Sequence, residues 1–268
     1  VRTPFLFCTD FDGTLLSVGE ERKIATEFYE LLHKKKREDT FLWVINTGRS
    51  WESLFEELNR LQIPLLPDWV VLYEKEIFKV QGFQIFPHEE WNLKCRNSHK
   101  ILFDTIGFFF EDLANYLILH TKAKIHSSSW SPIEVEASTN QEADQISLYI
   151  DQQLQNFPFL TYHRNFVYFR FAHKDFHKGS ALKQIQRLLG ISPKNSMACG
   201  DHFNDLPMLE IQLASHLACP ANAVKEVKEK VIKQGGYVAK KEASLGITEA
   251  LLKIEEKFDF NQDSIQRF

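Results

Sequence analysis

Short apolar runs recur at residues 5–9, 41–45 and 69–72, each passing into a polar loop, with helix-patterned stretches at 20–36 and 50–61 between them. A chain with that alternation folds most simply as a parallel sheet with crossover helices. In the 20–36 stretch Ile24, Phe28, Leu31 and Leu32 form an apolar stripe that runs out in the charged segment KKKRED, read as a solvated helix end. Ser50 is placed to cap the helix over 50–61. Pro64 and Pro67 punctuate the chain before the third apolar run.

The middle has a different pattern. Residues 100–120 and 141–155 carry helical patterns, while 124–129 with 133–137, and 161–164 with 166–171, pair as hairpin-like strands, the second turning at Asn165. Hairpins mixed with helices predict an α+β module with an antiparallel sheet. After Lys178 the alternation returns. A helix runs to Leu189 with Gly190 as its stop, followed by strands at 196–199 and 216–219 and helices at 206–211, 222–232 and beyond Ser244. The expected organisation is one α/β core, residues 1–82 and 172–268, interrupted by an inserted α+β cap domain over 83–171. The fold class is α/β: a Rossmann-like parallel sheet with helices on both faces, plus the inserted antiparallel sheet.

At 268 residues the chain has room for a substantial core without disulfides. A formal net charge of −4 argues against nucleic-acid binding driven by phosphate neutralisation. No apolar run reaches the ~18 residues of a membrane span, the richest, Ile106 to Phe110, being cut by Glu111 and Asp112. The opening VRTPFLFCTD has no long apolar core of a secretory signal, and its lack of Met leads us to expect a trimmed start. The four cysteines, Cys8, Cys95, Cys199 and Cys219, show no metal-binding spacing and read as buried free thiols in a reducing, cytoplasmic setting.

The polar information gathers at the ends of apolar strands, where parallel α/β sheets bind their ligands. In CTDFDGTLL, Asp10 and Asp12 stand at i and i+2 just beyond a strand and Gly13 permits a sharp turn. Carboxylates so close repel unless a cation or proton intervenes, so a divalent metal is the natural tenant. In VINTGRS, the Thr47 hydroxyl and neighbouring amides could hold a phosphate oxygen or simply cap the next helix. In ACGDHFNDLPML, Asp201, Asn204 and Asp205 offer two further carboxylates or a capping loop. Between them, FHKGSAL opens a helix with Lys178, which by itself reads as a solvated surface lysine.

Together these segments resemble, in order and spacing, the haloacid dehalogenase superfamily of phosphohydrolases. DFDGT resembles the first motif, NTGR the second, the Lys of HKG the third and GDHFND the fourth, with CPANAVKEVKE and GGYVAKKEASLGITEAL similar to the stretches that follow. The likeness covers residues 5–80 and 172–252. The insertion between the second and third motifs is that of the type with a large α+β cap (type IIB), and LPDWVVLYEKEIF with EEW looks closest to the sucrose-phosphate-phosphatase-like branch.

That resemblance implies a Mg²⁺-dependent phosphatase with an aspartyl-phosphate intermediate and a small phosphorylated metabolite, favourably a sugar phosphate, as substrate. Asp10 would be the nucleophile, and Asp12 would protonate the leaving oxygen and then activate water. Thr47, Gly48, Arg49 and Asn204 would bind phosphate or orient its neighbours. Lys178 would offset charge on Asp10 and the phosphate. The metal would be held by the Asp10 carboxylate, the Asp12 carbonyl and Asp201, with Asp205 supporting it directly or through water. A phosphomutase and a catalytically silent sugar-phosphate-binding module are the alternatives. His202-Phe203 departs from the family pattern, as does Glu74, where many relatives carry Gly. Cap candidates for substrate choice are Lys124, His126, Ser128, Trp130, Glu134, Glu136, Tyr168 and Arg170.

Overall fold

The computed structural model describes residues 4–19, 22–37, 40–128 and 130–265. The chain runs through β1 (Phe5–Thr9), α1 (Thr26–Lys36), β2 (Phe41–Asn46), α2 (Trp51–Arg60), β3 (Trp69–Leu72), β4 (Glu76–Gln81) and β5 (Gln84–Pro87). It continues through α3 (Glu89–Thr105), α4 (Gly107–His120), β6 (Lys124–Ser128), β7 (Ser131–Glu136), α5 (Asn140–Leu154), β8 (Leu160–Asn165) and β9 (Tyr168–His173). It ends with α6 (Lys178–Leu189), β10 (Ser196–Cys199), β11 (His216–Cys219), α7 (Lys225–Lys233), β12 (Tyr237–Val238) and α8 (Ala243–Ile265). Two compact units result, one of residues up to His88 together with those from His177 onward, the other Glu89–Phe176.

Among the described residues the larger unit holds an eight-stranded sheet in the order β12-β11-β10-β1-β2-β3-β4-β5. Six of its strands run parallel, and β4 and β5 join antiparallel at one end. Leu6 to Thr9 and all of β3 are buried, as expected of central strands covered on both faces. On one face Phe7, Trp43 and Ile45 pack with Phe28 and Leu32 of α1, Leu54 and Leu58 of α2, and Ile247 and Leu251 of α8. On the other, Asn46 donates from Nδ2 to the Lys178 carbonyl at the start of α6. Period-2 alternation along β2 thus sends Trp43 and Ile45 to the core and Asn46 to the helix that carries Lys178.

The smaller unit is an antiparallel sheet, β6-β7-β9-β8, with one face covered by helices. Phe109, Phe110, Leu113 and Leu117 of α4 and Ile146 and Ile150 of α5 pack on Ile133, Val135, Phe169 and Phe171. The alternate positions Glu134, Glu136, Tyr168 and Arg170 are not buried.

Several elements differ from the sequence reading. The 76–87 hairpin belongs to the sheet edge of the larger unit: β4 pairs with β3 and β5 with β4. The pattern over 100–120 is two helices, because Ile106 leaves helical geometry at φ −107, ψ 25, and the first of them starts already at Glu89. No helix forms over 206–211. The N–H groups of Met208 and Leu209 both go to the Asp205 carbonyl, and the segment follows the short 3-10 helix at Phe203–Asp205 as turns. Residues 20, 21, 38, 39 and 129, on which the readings for the first helix, its charged end and the 124–129 strand partly fell, lie outside the described residues.

Candidate active site

Strand β1 ends at Thr9 and delivers Asp10, whose N–H is held by the Cys199 carbonyl on neighbouring β10. The parallel pairing of β1 with β10 therefore brings Asp10 beside the loop that carries Asp201 and Asp205, although they are nearly two hundred residues apart. Asp10, Asp201 and Asp205 are all buried, and each offers a carboxylate oxygen within 4.8 Å of the others.

Lys178 makes that arrangement tenable. It lies at the start of α6 behind His177, whose Nδ1 accepts from the N–H groups of Gly179 and Ser180 while Ser180 Oγ accepts from the His177 N–H. This reciprocal cap fixes where the lysine leaves the helix. Its side chain is 0% exposed, and Nζ donates to Asp10 Oδ1 at 2.6 Å and to Asp205 Oδ1 at 2.7 Å. Burial disfavours the ammonium, but the charges of Asp10 and Asp205 outweigh it and hold Lys178 protonated above its ordinary range.

Asp205 is fully committed. Its second oxygen accepts from the N–H groups of Asp201 (2.8 Å) and His202 (3.0 Å), so this carboxylate builds the loop and anchors Lys178. Asp201 takes a hydrogen bond from Thr14 Oγ1 at 2.7 Å and lies within hydrogen-bonding reach of Asp10. Burial, and then the charge of Asp205, push the Asp201 carboxyl up to about 7; burial also raises Asp10 well above the usual carboxylate range against the pull of Lys178. Gly13 passes directly over Asp201 at φ +82, where a Cβ would stand 2.3 Å from Asp201 Oδ2. Only glycine fits there.

Three buried carboxylates that share the single charge of Lys178 leave negative charge unanswered. The donors are hard oxygens, which suit a divalent cation such as Mg²⁺, and its charge would offset the burial, and the smaller repulsion, that raise Asp10 and Asp201. The residues present thus fit the metal.

Asp12 is differently placed. Its carboxylate is 43% exposed and is gripped by Arg49, Nε to Oδ2 at 2.7 Å and Nη2 to Oδ1 at 2.6 Å, with Arg22 Nη2 adding 2.7 Å to Oδ1. Arg49 also lies over the Phe11 ring and reaches Ser53. Thr47 is buried, its N–H on the Val71 carbonyl and its Oγ1 accepting from the Arg49 N–H. Gly48 follows, and Asn204 Nδ2 donates to Glu74 Oε1 at 2.9 Å. The larger unit therefore gathers Asp10, Lys178, Asp201 and Asp205 into one cluster and pairs Asp12 with Arg49 and Asn204 with Glu74. Sequence reasoning missed Thr14, Arg22 and Asn222, whose Nδ2 holds the Gly13 carbonyl. Thr14 and Asn222 stand inside the quoted DFDGT and CPANAVKEVKE stretches, but nothing in the residue pattern marks them as contacts.

Of the proposed substrate-reading residues in the smaller unit, Ser128 Oγ donates to Glu134 at 2.6 Å and Arg170 Nε to the same oxygen at 3.0 Å. Lys124 and His126 face Glu136 at 3.6 and 3.5 Å. Trp130 is instead buried, edge-on to His99.

A parallel sheet with strand-end aspartates and an inserted antiparallel unit is the architecture of haloacid dehalogenase-type phosphatases. The crystal structure of the sucrose-phosphatase of Synechocystis sp., in complex with sucrose and phosphate, matches with a TM-score of 0.69 at 20% identity over 95% of this chain and 99% of that one. A haloacid dehalogenase-like hydrolase of Bacillus subtilis matches at 0.64 and 19%, over 94% and 93%. A Streptococcus pyogenes serotype M6 protein with a provisional phosphatase name is 23% identical over 92% of this chain and 97% of its own length. The profile of the sucrose-6F-phosphate phosphohydrolase family matches residues 3–253, and the chain belongs to that family. It is a phosphatase by kind. No helix among the described residues is long and apolar enough to cross a membrane.

Proposed function

We propose that this chain hydrolyses a small sugar phosphate with Mg²⁺, through an aspartyl-phosphate on Asp10. The observation that carries the reading is the buried Lys178 ammonium shared between Asp10 and Asp205, with Asp201 alongside. A lysine neutralised in this way holds one Asp10 oxygen and leaves the other to act as nucleophile.

Asp10 attacks phosphorus, the P–O bond to the leaving group breaks, and Asp12 gives its proton to the departing oxygen. Asp12 then takes a proton from water, the water oxygen attacks phosphorus, and the acyl-phosphate bond breaks to free inorganic phosphate and restore Asp10. The exposure of Asp12 suits a group that must meet both leaving group and water, and the Arg49 fork fixes its direction. Thr47 and the Gly48 N–H would hold the non-transferring oxygens. The Asp10 and Asp201 carboxylates and the Asp12 carbonyl would hold the metal with Asp205 in support, and the bound ion would supply charge neutralisation of the phosphate.

The 89–176 unit would act as the cap domain and supply specificity through the open face of its sheet, with Lys124, His126, Ser128, Glu134, Glu136, Tyr168 and Arg170 as readers of sugar hydroxyls. The sucrose and phosphate held by the Synechocystis neighbour support a sugar-phosphate substrate. Four buried free thiols support a reducing, cytoplasmic setting.

The test is phosphate release from an aryl phosphate and a panel of sugar phosphates, sucrose 6-phosphate among them, with Mg²⁺ and with chelator, for the native chain and Asp10→Asn. The expected result is Mg²⁺-dependent turnover that Asp10→Asn abolishes. Turnover that survives the substitution overturns the nucleophile, and an isomeric sugar phosphate without free phosphate identifies a mutase.

A further inference from the structure

We propose that Glu74 is a specificity residue of this same site: its carboxylate accepts a hydroxyl of the leaving group and turns away leaving groups that carry a second anion beside the ester. The inference rests on the phosphatase reading above and narrows its substrate to the phosphate ester of a neutral polyol.

Two observations lead there. First, the β3–β4 loop is held in a conformation that its residues disfavour. Tyr73 (φ 52) and Glu74 (φ 67) are consecutive non-glycine residues in the left-handed region. The loop keeps that form because the Tyr73 N–H donates to the Arg49 carbonyl at 3.2 Å, the Glu74 N–H to the Thr47 carbonyl at 2.9 Å, and the Lys75 N–H to the Leu72 carbonyl at 3.0 Å. Two of these three bonds tie it to the Thr47–Arg49 turn. Strain over-determined by its surroundings clusters where a side chain must be aimed.

Second, the side chain is aimed at that turn. Glu74 Oε1 stands 3.3 Å from where a Cβ on Gly48 would be, and the same oxygen accepts from Asn204 Nδ2 at 2.9 Å. The carboxylate therefore overlies the glycine whose N–H faces the phosphate in the proposed reaction.

A glycine at position 74 would relax the backbone, and a glutamine could keep the contact with Asn204. The carboxylate brings something else. It is an acceptor only, and so it suits O–H donors on the leaving group. It also adds negative charge beside a dianion, a cost that grows steeply when the leaving group carries a further anion close by.

The experiment compares two small phosphates that share a carbon skeleton. Glycerol 2-phosphate carries a hydroxymethyl group beside the ester carbon, and 2-phosphoglycerate carries a carboxylate there. Each competes against Mg²⁺-dependent turnover of p-nitrophenyl phosphate, and Ki is measured for the native chain, Glu74→Gln and Glu74→Lys, with thermal melting to confirm folding. The native chain is expected to favour glycerol 2-phosphate at least tenfold, Glu74→Gln to narrow the ratio below threefold, and Glu74→Lys to reverse the order. Equal Ki values in the native chain overturn the proposal, as does a native ratio that persists in whichever variant folds. A native chain that turns over no p-nitrophenyl phosphate and none of the sugar phosphates overturns the phosphatase reading itself, an outcome distinct from an active enzyme with no preference.

Discussion

The two units handle charge in opposite ways. Around Lys178 the larger unit buries an ammonium among three carboxylates, both oxygens of Asp205 and one each of Asp10 and Asp201 taking a named donor. On the open sheet face of the smaller unit, Glu134 and Glu136 meet Ser128, Arg170, Lys124 and His126 through contacts that remain open to solvent. Buried ion pairs hold each group to one geometry because breaking them leaves an uncompensated charge out of water. Exposed pairs exchange partners cheaply and suit a surface that must accommodate a ligand. In the proposed reaction, position-demanding chemistry and adaptable recognition would thus fall to different units.

Removing the central cation should give the largest effect. Lys178→Met leaves Asp10 and Asp205 facing each other without a counter-charge, and we expect a loss of ~3–5 kcal/mol in urea denaturation near neutral pH. Phosphate release should fall by about 10²- to 10³-fold. A stable, active Lys178→Met protein would dissolve the contrast between the units.

Gly13→Ala comes next. The added methyl would meet Asp201 Oδ2 at 2.3 Å and the backbone would be held at φ +82. A cost of ~1–3 kcal/mol is expected, read as a lower melting temperature together with lost turnover. A protein that melts like the native chain would show that the loop yields freely.

Arg49→Lys probes the boundary between the two regimes, because Asp12 is exposed yet gripped by a planar fork. A lysine cannot reproduce both bonds. We expect kcat/KM to drop on the order of 10- to 100-fold with little change in melting temperature. Equal losses of stability and activity would place this pair with the buried cluster instead.

The smallest change is expected on the open face. Arg170→Ala or Lys124→Ala should alter stability by about 0.5 kcal/mol or less while raising KM for the preferred sugar phosphate. Unchanged KM for every substrate across a set of such variants would remove that face from the recognition role.

Much of the larger unit was legible before any coordinates, because its strands are short apolar runs and its polar residues fall just after them. Residues 5–9, 69–72, 196–199 and 216–219 are strands within those bounds, since a strand buried on both faces writes itself as a continuous apolar segment. The 76–87 hairpin was not legible: EIFKVQ mixes apolar and charged residues as an edge strand does, and its partner β5 is largely exposed. The helix expected over 206–211 did not form: the N–H groups of Met208 and Leu209 share the Asp205 carbonyl and the chain goes on in turns, which an apolar stripe does not reveal.

The candidate site divides along the same line. Asp10, Asp12, Asp201 and Asp205 stood out by residue type and position after a strand, whereas Lys178, at the start of a helix, was singled out only by the resemblance in the order of the motifs. Which charges meet was decided only by the tertiary structure. Parallel pairing of β1 with β10 sets Asp10 beside the Asp201 loop, and the cap on α6 sends Lys178 between Asp10 and Asp205, 168 and 27 residues away. The same folding turns Asp12 outward to Arg49 and lays Glu74 over Gly48. Hydrophobic periodicity specifies elements, but the distance between two charges depends on how the sheet registers those elements, and that register is a property of the packed core.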